Sequence, residues 1–261
     1  PGVELYQLNT SFTASNNVFI YAYPGKELGR IYGYGFQRAP QGAYYVDPQT
    51  GQSVDCSGQI IVDNNGYPQI DSQNLIDLGS IYPDWKGGFS TTFRYKNLRL
   101  AASFDFMIGG QMVSWTNMWA AGSGTSQFTA EKNDKGVNVR EPISKGGGVR
   151  VDGVDESGNP VTAYMNAYQY YHYLANYDLD QWVYSRSYLK MRELSLTYDF
   201  SKSLLKKAGI GLSDASISFV ANNPWLIYSA CPNVDPSEAG SNWLEGGQAA
   251  STRSFGFTVK L

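Results

Sequence analysis

The chain is short of charge. Asp, Glu, Lys and Arg make up 16% of its 261 residues, against about 25% in soluble domains. Aliphatic residues do not fill the gap, since the mean hydropathy stays at -0.34. The place is taken by 20 Tyr and 28 Gly, together with Ser, Asn and Thr, a mix suited to pleated surfaces that are wet on one side and apolar on the other. The length allows one large all-β unit or two small domains. A net charge of -3 gives no basic footprint and disfavours nucleic acid. A single histidine, His172, within Tyr170-Tyr171-His172-Tyr173, excludes a histidine metal cluster and a catalytic triad, and reads as a loop or pore-wall residue. Gly33 and Gly35 do not complete a dinucleotide fingerprint, and Gly146-Gly147-Gly148 has no following Lys-Ser/Thr, which excludes a P-loop. No pair of acids for glycoside hydrolysis can be assembled around Asp84 or Glu193. The expectation is a protein that is not an enzyme and carries no cofactor.

Long apolar runs are missing too. Nothing approaches the ~18 residues of a membrane helix; Phe104–Ile108 and Met118–Ala121 are short and broken. This leaves a membrane open, because barrel strands carry only ~10-residue alternating signals. The opening Pro1-Gly2-Val3-Glu4 has no signal-peptide character and begins mid-pattern, as expected of a fragment or matured piece. The two cysteines, Cys56 and Cys231, sit in separate Gly/Asp/Pro-rich segments, and their pairing stays open.

What is present is alternation, while helical periodicity is almost absent. Phe89, Thr91, Phe93 and Tyr95 face one way, and Ser90, Thr92 and Arg94 the other. After Lys96-Asn97 the pattern resumes with Leu98, Leu100, Ala102, Phe104 and Phe106 against Arg99, Ala101, Ser103 and Asp105, which is a hairpin signal. Leu194, Leu196, Tyr198 and Phe200 alternate with Glu193, Ser195, Thr197 and Asp199. So do Ile217 and Phe219 with Ser216 and Ser218, and Phe255, Phe257, Val259 and Leu261 with Ser254, Gly256, Thr258 and Lys260. Upstream, Tyr6, Leu8, Thr10 and Phe12 alternate with Gln7, Asn9 and Ser11. Apolar parity changes between Met191 and Leu194, which predicts a bulge or the point of entry into an apolar environment. About six one-sided strands follow.

The connections alternate in length. Segments 14–88, 107–182 and 222–252 are long, glycine-rich and aromatic; Lys96-Asn97 and Ser201–Asp214 are short, the latter with a helical turn around Leu204, Leu205 and Ala208. Long outer loops and short periplasmic turns are the pattern of a membrane β-barrel. Hidden hairpins at Ala43–Val46, Ile60–Val62, Gln111–Trp119 and Tyr164–Tyr173 would instead make an ordinary all-β pattern.

Several passages resemble the SusC/RagA family of TonB-linked outer-membrane proteins: Ile31-Tyr32-Gly33-Tyr34-Gly35-Phe36; Leu78-Gly79-Ser80-Ile81-Tyr82-Pro83-Asp84-Trp85-Lys86-Gly87-Gly88-Phe89; Phe104-Asp105-Phe106-Met107-Ile108-Gly109-Gly110; Tyr188-Leu189-Lys190-Met191-Arg192-Glu193-Leu194-Ser195-Leu196-Thr197-Tyr198; and Asn222 with Asp235-Pro236-Ser237-Glu238. Together they span residues 28–261. The resemblance implies that 1–261 is the C-terminal portion of an antiparallel, 22-stranded transmembrane β-barrel, with its long loops and with no plug domain or TonB box. It also implies residence in the Gram-negative outer membrane among its lipids, energisation by TonB through the missing N-terminal part, a SusD-like lipoprotein partner, and import of oligosaccharides or peptides. The alternative is a secreted soluble β-rich glycan-binding module, which would bury Leu100, Phe104, Leu196, Tyr198 and Phe257 rather than turn them to lipid.

Binding candidates are loop aromatics, whose flat faces and polar edges suit sugar rings. Trp115 and Trp119 share a face on an extended segment and, with Tyr44 and Tyr45, are the expected substrate contacts. Tyr34 and Arg38 are the expected partner contacts, being residue types that favour interface cores. Trp182 and Tyr184 read as an interfacial girdle. Asp63-Asn64-Asn65-Gly66 and Asp152-Gly153-Val154-Asp155-Glu156 carry oxygens for Ca²⁺, although turns use the same residues, and no metal is expected.

Overall fold

A computed structural model describes residues 6–9, 18–177, 180–209, 211–240, 243–246, 249 and 251–261. Two compact units emerge, each built from two stretches of chain: Pro1–Ile81 with Val113–Val183, and Tyr82–Met112 with Tyr184–Leu261. The strands run β1 (Tyr6–Asn9), β2 (Val18–Ala22), β3 (Arg30–Gly33), β4 (Tyr44–Val46), β5 (Ser53–Asp55), β6 (Ile76–Ser80), β7 (Pro83–Tyr95) and β8 (Leu98–Gly109). Then come β9 (Gln111–Ser114), β10 (Val149–Val154), β11 (Pro160–Met165), β12 (Val183–Ser185), β13 (Tyr188–Asp199), β14 (Ser216–Ser229), β15 (Leu244–Glu245) and β16 (Ser254–Lys260). The fold is all-β and antiparallel in its sheets, but far richer in short strands than the alternating runs alone suggest. Thr10, Ser11 and Phe12 lie outside the described residues.

In the second unit, one antiparallel sheet has the order β16-β14-β13-β8-β7. The β7–β8 hairpin closes through Lys96-Asn97, as its alternation predicts, with Tyr95 opposite Leu98. Lys96 takes the left-handed conformation (φ 52°) that a two-residue hairpin turn requires. The 200–215 connection carries α3 (Lys202–Ala208), capped by the Ser201 side chain on the Leu204 amide. Strand β14 runs on to Ser229, so the long connection expected at 222–252 spans 230–253.

The first unit holds what the sequence pattern leaves as loop. Strands β1-β2-β3-β6 form a sheet that buries Ile20 opposite Ile31. Next to the β4–β5 hairpin, Ala39, Cys56, Ile61 and Val154 share a core on which Tyr45 packs. A Cβ on Gly153 would lie 2.5 Å from the Ile60 carbonyl oxygen, so only glycine lets this core close. Two segments anticipated as hairpins are instead helical. After Ser114, whose side chain accepts from the Asn117 amide, comes α1 (Trp115–Gly122); α2 (Ala167–Tyr177) follows β11. Their turns are amphipathic at helical rather than strand spacing: Asn117, Met118, Ala121 and Gly122 on α1, and Ala167, Tyr171, Leu174 and Ala175 on α2, are the buried positions. Cys56 and Cys231 are both buried and are not joined in a disulfide.

Candidate functional site: a two-faced wall and its ionic clamp

Register decides the chemistry of the five-stranded sheet. Thr91 pairs with Ala102, Phe93 with Leu100, Leu100 with Leu196, Leu196 with Phe219, and Phe219 with Phe257. Every one of these residues lies on one face. The other face carries Ser90, Ser103, Glu193, Asn222 and Ser254 in a single cross-strand row. A slip of one residue in any strand would mix the faces, and over the stretch that pairs with Leu98–Ser103 none does. The apolar face stands open: Phe257 is 75% exposed, and Leu100 and Leu196 are exposed with it. Phe104 and Tyr198 are half-buried, Phe104 because it stacks on Phe89 at 4.7 Å. Aromatic rings mark both ends, with Trp85, Trp225 and Tyr228 towards the long connections and Tyr95 and Tyr198 by the short turns. From Leu98 to Ile108 is ten residue steps, about 33 Å of strand. At a tilt of about 40° that spans about 25 Å, the height of the apolar band on an outer-membrane barrel.

The parity change near Met191 is a β-bulge. Pairing skips Arg192 on both sides of β13, and opposite it on β14 skips Asn223 and Pro224. Pro224 has no amide to donate, and Asn223 sits at φ 47°, so the ladder breaks here from both strands. The extra residue lets Lys190 and Arg192 both turn to the polar face, where Asp105 lies. There they meet the turn Asp235-Pro236-Ser237-Glu238, whose Asp235 carboxylate caps the Ser237 amide at 3.0 Å.

The result is an ionic clamp. Lys190, only 1% exposed, places Nζ 2.6 Å from Asp235 Oδ2 and 2.8 Å from Glu238 Oε1, and also donates to Ser237 Oγ and Ser251 Oγ at 3.2 Å each. Arg192 bridges Glu238 Oε1 at 3.0 Å and Asp105 Oδ2 at 2.8 Å, and Tyr188 OH donates to the same Asp105 oxygen at 3.2 Å. The bond from the Lys190 ammonium, with Arg192 beside it, holds the Glu238 carboxyl below its usual range against the opposing effect of burial. A buried charge is tolerable only when paired, so the 230–253 connection is fastened to the wall by these contacts. A cavity of about 430 Å³ beside the clamp is lined by Lys190, Asn223, Asp235, Ser251 and Arg253. The clamp residues other than Ser251 all fall within the family-like passages, but the sequence pattern points to no role for them. Lys190 and Arg192, two apart across a parity change, were the available signal; Asp235 lies 45 residues downstream and is not reachable by spacing.

The aromatic candidates are distributed differently. Trp115 and Trp119 lie four apart on α1 rather than on an extended segment, so they still share a face, with Trp119 exposed. Tyr44 is 63% exposed on β4, whereas Tyr45 points into the core under it, so the two cannot stack on one ligand from the same side. Tyr34 meets Phe19 edge-on at 5.8 Å in a cluster with Tyr21, Tyr23 and Tyr32. Arg38 is exposed and donates to the Gly58 carbonyl at 3.0 Å. Trp182 is buried and donates to the Leu174 carbonyl, which removes it from any girdle; its position after α2 is a core position. His172 stacks on Tyr168. The acidic segments are occupied by turns: Asp63 accepts from the Asn65 and Tyr67 amides, and Asp155 from those of Ser157 and Asn159.

No family model matches the chain. It is 25% identical over 214 residues, 81% of its length, to "TonB-dependent receptor P3" of Formosa agariphila. It spans 19% of that relative, about a fifth. Among solved structures it aligns with the RagAB peptide transporter at a TM-score of 0.46 and 17% identity, covering 98% of this chain and 27% of that one. Against the RagAB peptide importer in its closed-closed state the values are 0.44 and 16%, with 98% and 28% covered. The SusC/RagA-like passages and the curated relative point the same way, to similarity with TonB-dependent receptors over part of their length.

Proposed function

We propose that the chain supplies part of the wall and loops of an outer-membrane, TonB-dependent importer of nutrient oligomers, oligosaccharide or peptide, working with a SusD-like lipoprotein. One observation carries the reading: an apolar face that continues in register across five strands with no described residue of that unit covering it. The soluble glycan-binding module would have to bury Leu100, Leu196 and Phe257, and these are exposed. In this reading the polar face lines the lumen, Lys96-Asn97 and α3 lie on the periplasmic side, and the 110–187 and 230–253 connections lie outside.

Single cysteines in the intact protein on whole cells test the orientation. Gly240→Cys, where an added Cβ meets open space, should react with a membrane-impermeant maleimide, and Lys202→Cys on α3 should not. The reverse labelling would overturn the wall as drawn. For the lipoprotein, Tyr44→Ala is the cleaner probe, since its ring stands outside the core. Assembly should be normal while co-purification with the lipoprotein falls; normal co-purification removes Tyr44 from the interface.

A further inference from the structure

Arg140 differs from Arg30 and Arg150 of the same unit. Arg30 pairs with Asp77 and Arg150 with Asp134 and Asp152, but among the described residues Arg140 meets no carboxylate. Instead its guanidinium is fixed by acceptors that carry no formal charge: Nε donates to the Thr129 carbonyl at 2.9 Å, and Nη2 to Thr129 Oγ1 at 2.7 Å and to the Gly124 carbonyl. Thr129 is itself buried and donates from Oγ1 to the Ser126 carbonyl. An arginine held this way has given up its rotamer freedom without neutralising its charge, and its Nη1 amino group remains for a charge-assisted bond.

The guanidinium borders a cavity of about 330 Å³ lined also by Asn166, Tyr168 and Tyr171. Tyr168 is 66% exposed, with His172 stacked on one side of the ring at 5.4 Å. The Asn166 side chain is turned to the Tyr168 amide at 3.0 Å, which keeps the start of α2 in place. A fixed uncompensated cation, an aromatic face and a polar rim around one small cavity form a site for a ring or chain that ends in an anion.

We propose that this cavity is a subsite for a carboxylate group on a ligand, with Arg140 as the anion contact and Tyr168 as the surface against which the adjoining residue lies. The proposal rests on the import reading for its biological sense, because the carboxylate would belong to the imported oligomer. Two sources share the chemistry: the C-terminus of a peptide and the acid group of a uronic sugar.

The test uses the full-length protein purified in detergent micelles, with titration calorimetry. In one arm triglycine is compared with triglycine amide; in the other, trigalacturonate is compared with its methyl ester. The free acid should bind about tenfold or more tightly than the blocked form in at least one arm, the loss expected when a charge-assisted bond is removed. The arm that shows the preference identifies the source. Arg140→Gln should abolish that preference. Tyr168→Ala, which removes an exposed ring, should weaken the free acid several-fold while the protein keeps its heat-modifiable migration. Equal binding of free and blocked forms in both arms overturns the subsite, and so does an Arg140→Gln protein that keeps the preference. Micelle binding needs neither TonB nor lipoprotein. A missing preference in the unaltered protein, when that protein still fractionates with the outer membrane, therefore counts against the subsite alone, whereas absence from that membrane counts against the import reading.

Discussion

Replacing Lys190 with methionine keeps most of the side-chain volume and removes the charge that fastens the 230–253 connection. The four acceptors around Nζ, Asp235, Glu238, Ser237 and Ser251, lose their shared donor, and two carboxylates are left close together with only Arg192 to offset them. Removing one partner of a buried ion pair costs about 3–5 kcal/mol. Asp235 and Glu238 are partly open to water, so about 2.7 kcal/mol is the better figure, a factor of about 100 in a local opening equilibrium. The amides of Ser237, Glu238 and Ala239 are held within the turn. In Lys190→Met their hydrogen exchange in the full-length protein should accelerate about 100-fold, with the strands of the wall unaffected. The double variant Lys190→Met with Glu238→Gln should recover part of the protection, because it also removes one stranded charge. Lys202→Met on the exposed side of α3 serves as control. An acceleration below about threefold in the single variant would refute the claim that the clamp holds this segment.

Further outcomes follow from the same geometry. Leu196→Arg should impair barrel assembly by roughly 2–4 kcal/mol near the midplane while Ser195→Arg is tolerated; equal sensitivity, read as folded band on an unheated gel, would reject a one-sided lipid contact. Because the Glu238 carboxyl is held low by Lys190, its stabilising contribution is complete above the ordinary carboxylate range and is lost as pH falls through and below that range. Exchange protection of residues 237–239, normalised to the chemical rate, should thus be flat from pH 8 to 6 and decline in acid; a decline beginning near neutrality would contradict this. Lys96→Gly should raise the stability of the β7–β8 hairpin by about 0.5–1 kcal/mol, since glycine takes φ 52° without the left-handed penalty, measured as a shifted urea midpoint.

Much of the wall was legible because a strand's period of two writes its burial directly into the sequence. The faces of β7, β8, β13, β14 and β16, the Lys96-Asn97 turn and the bulge near Met191 all follow from parity. Short elements were less legible for a physical reason. The β4–β5 hairpin has three residues a side, too few to show a period, so Ala43–Val46 could be named only as a possible hairpin. Around Trp115 and Tyr168, helices of eight and eleven residues are fixed by a serine cap and by packing rather than by a strong local signal, and aromatic richness there imitates a strand. The alternation that marks β14 in the sequence ends at Phe219, whereas the strand continues through the Asn223-Pro224 bulge to Ser229. The clamp and the Arg140 cavity were illegible since each depends on side chains brought together from distant positions.

The two compact units are interleaved along the chain, and this bears on synthesis. The first contains residues on both sides of the β7–β8 hairpin and closes only at Val183, while the second opens at Tyr82 and closes at Leu261. Neither can be completed from one continuous stretch. The pairing of β8 with β13 must wait for the whole 110–187 connection to emerge, although loop length itself adds only about 0.6 kcal/mol per doubling. During that interval the β7–β8 hairpin exposes Phe89, Phe93 and Leu100 with a free edge beside them. A holding chaperone that engages this nascent hairpin until Tyr188 onwards is delivered would therefore see a defined sticky interval, opened and ended by the order of the polypeptide.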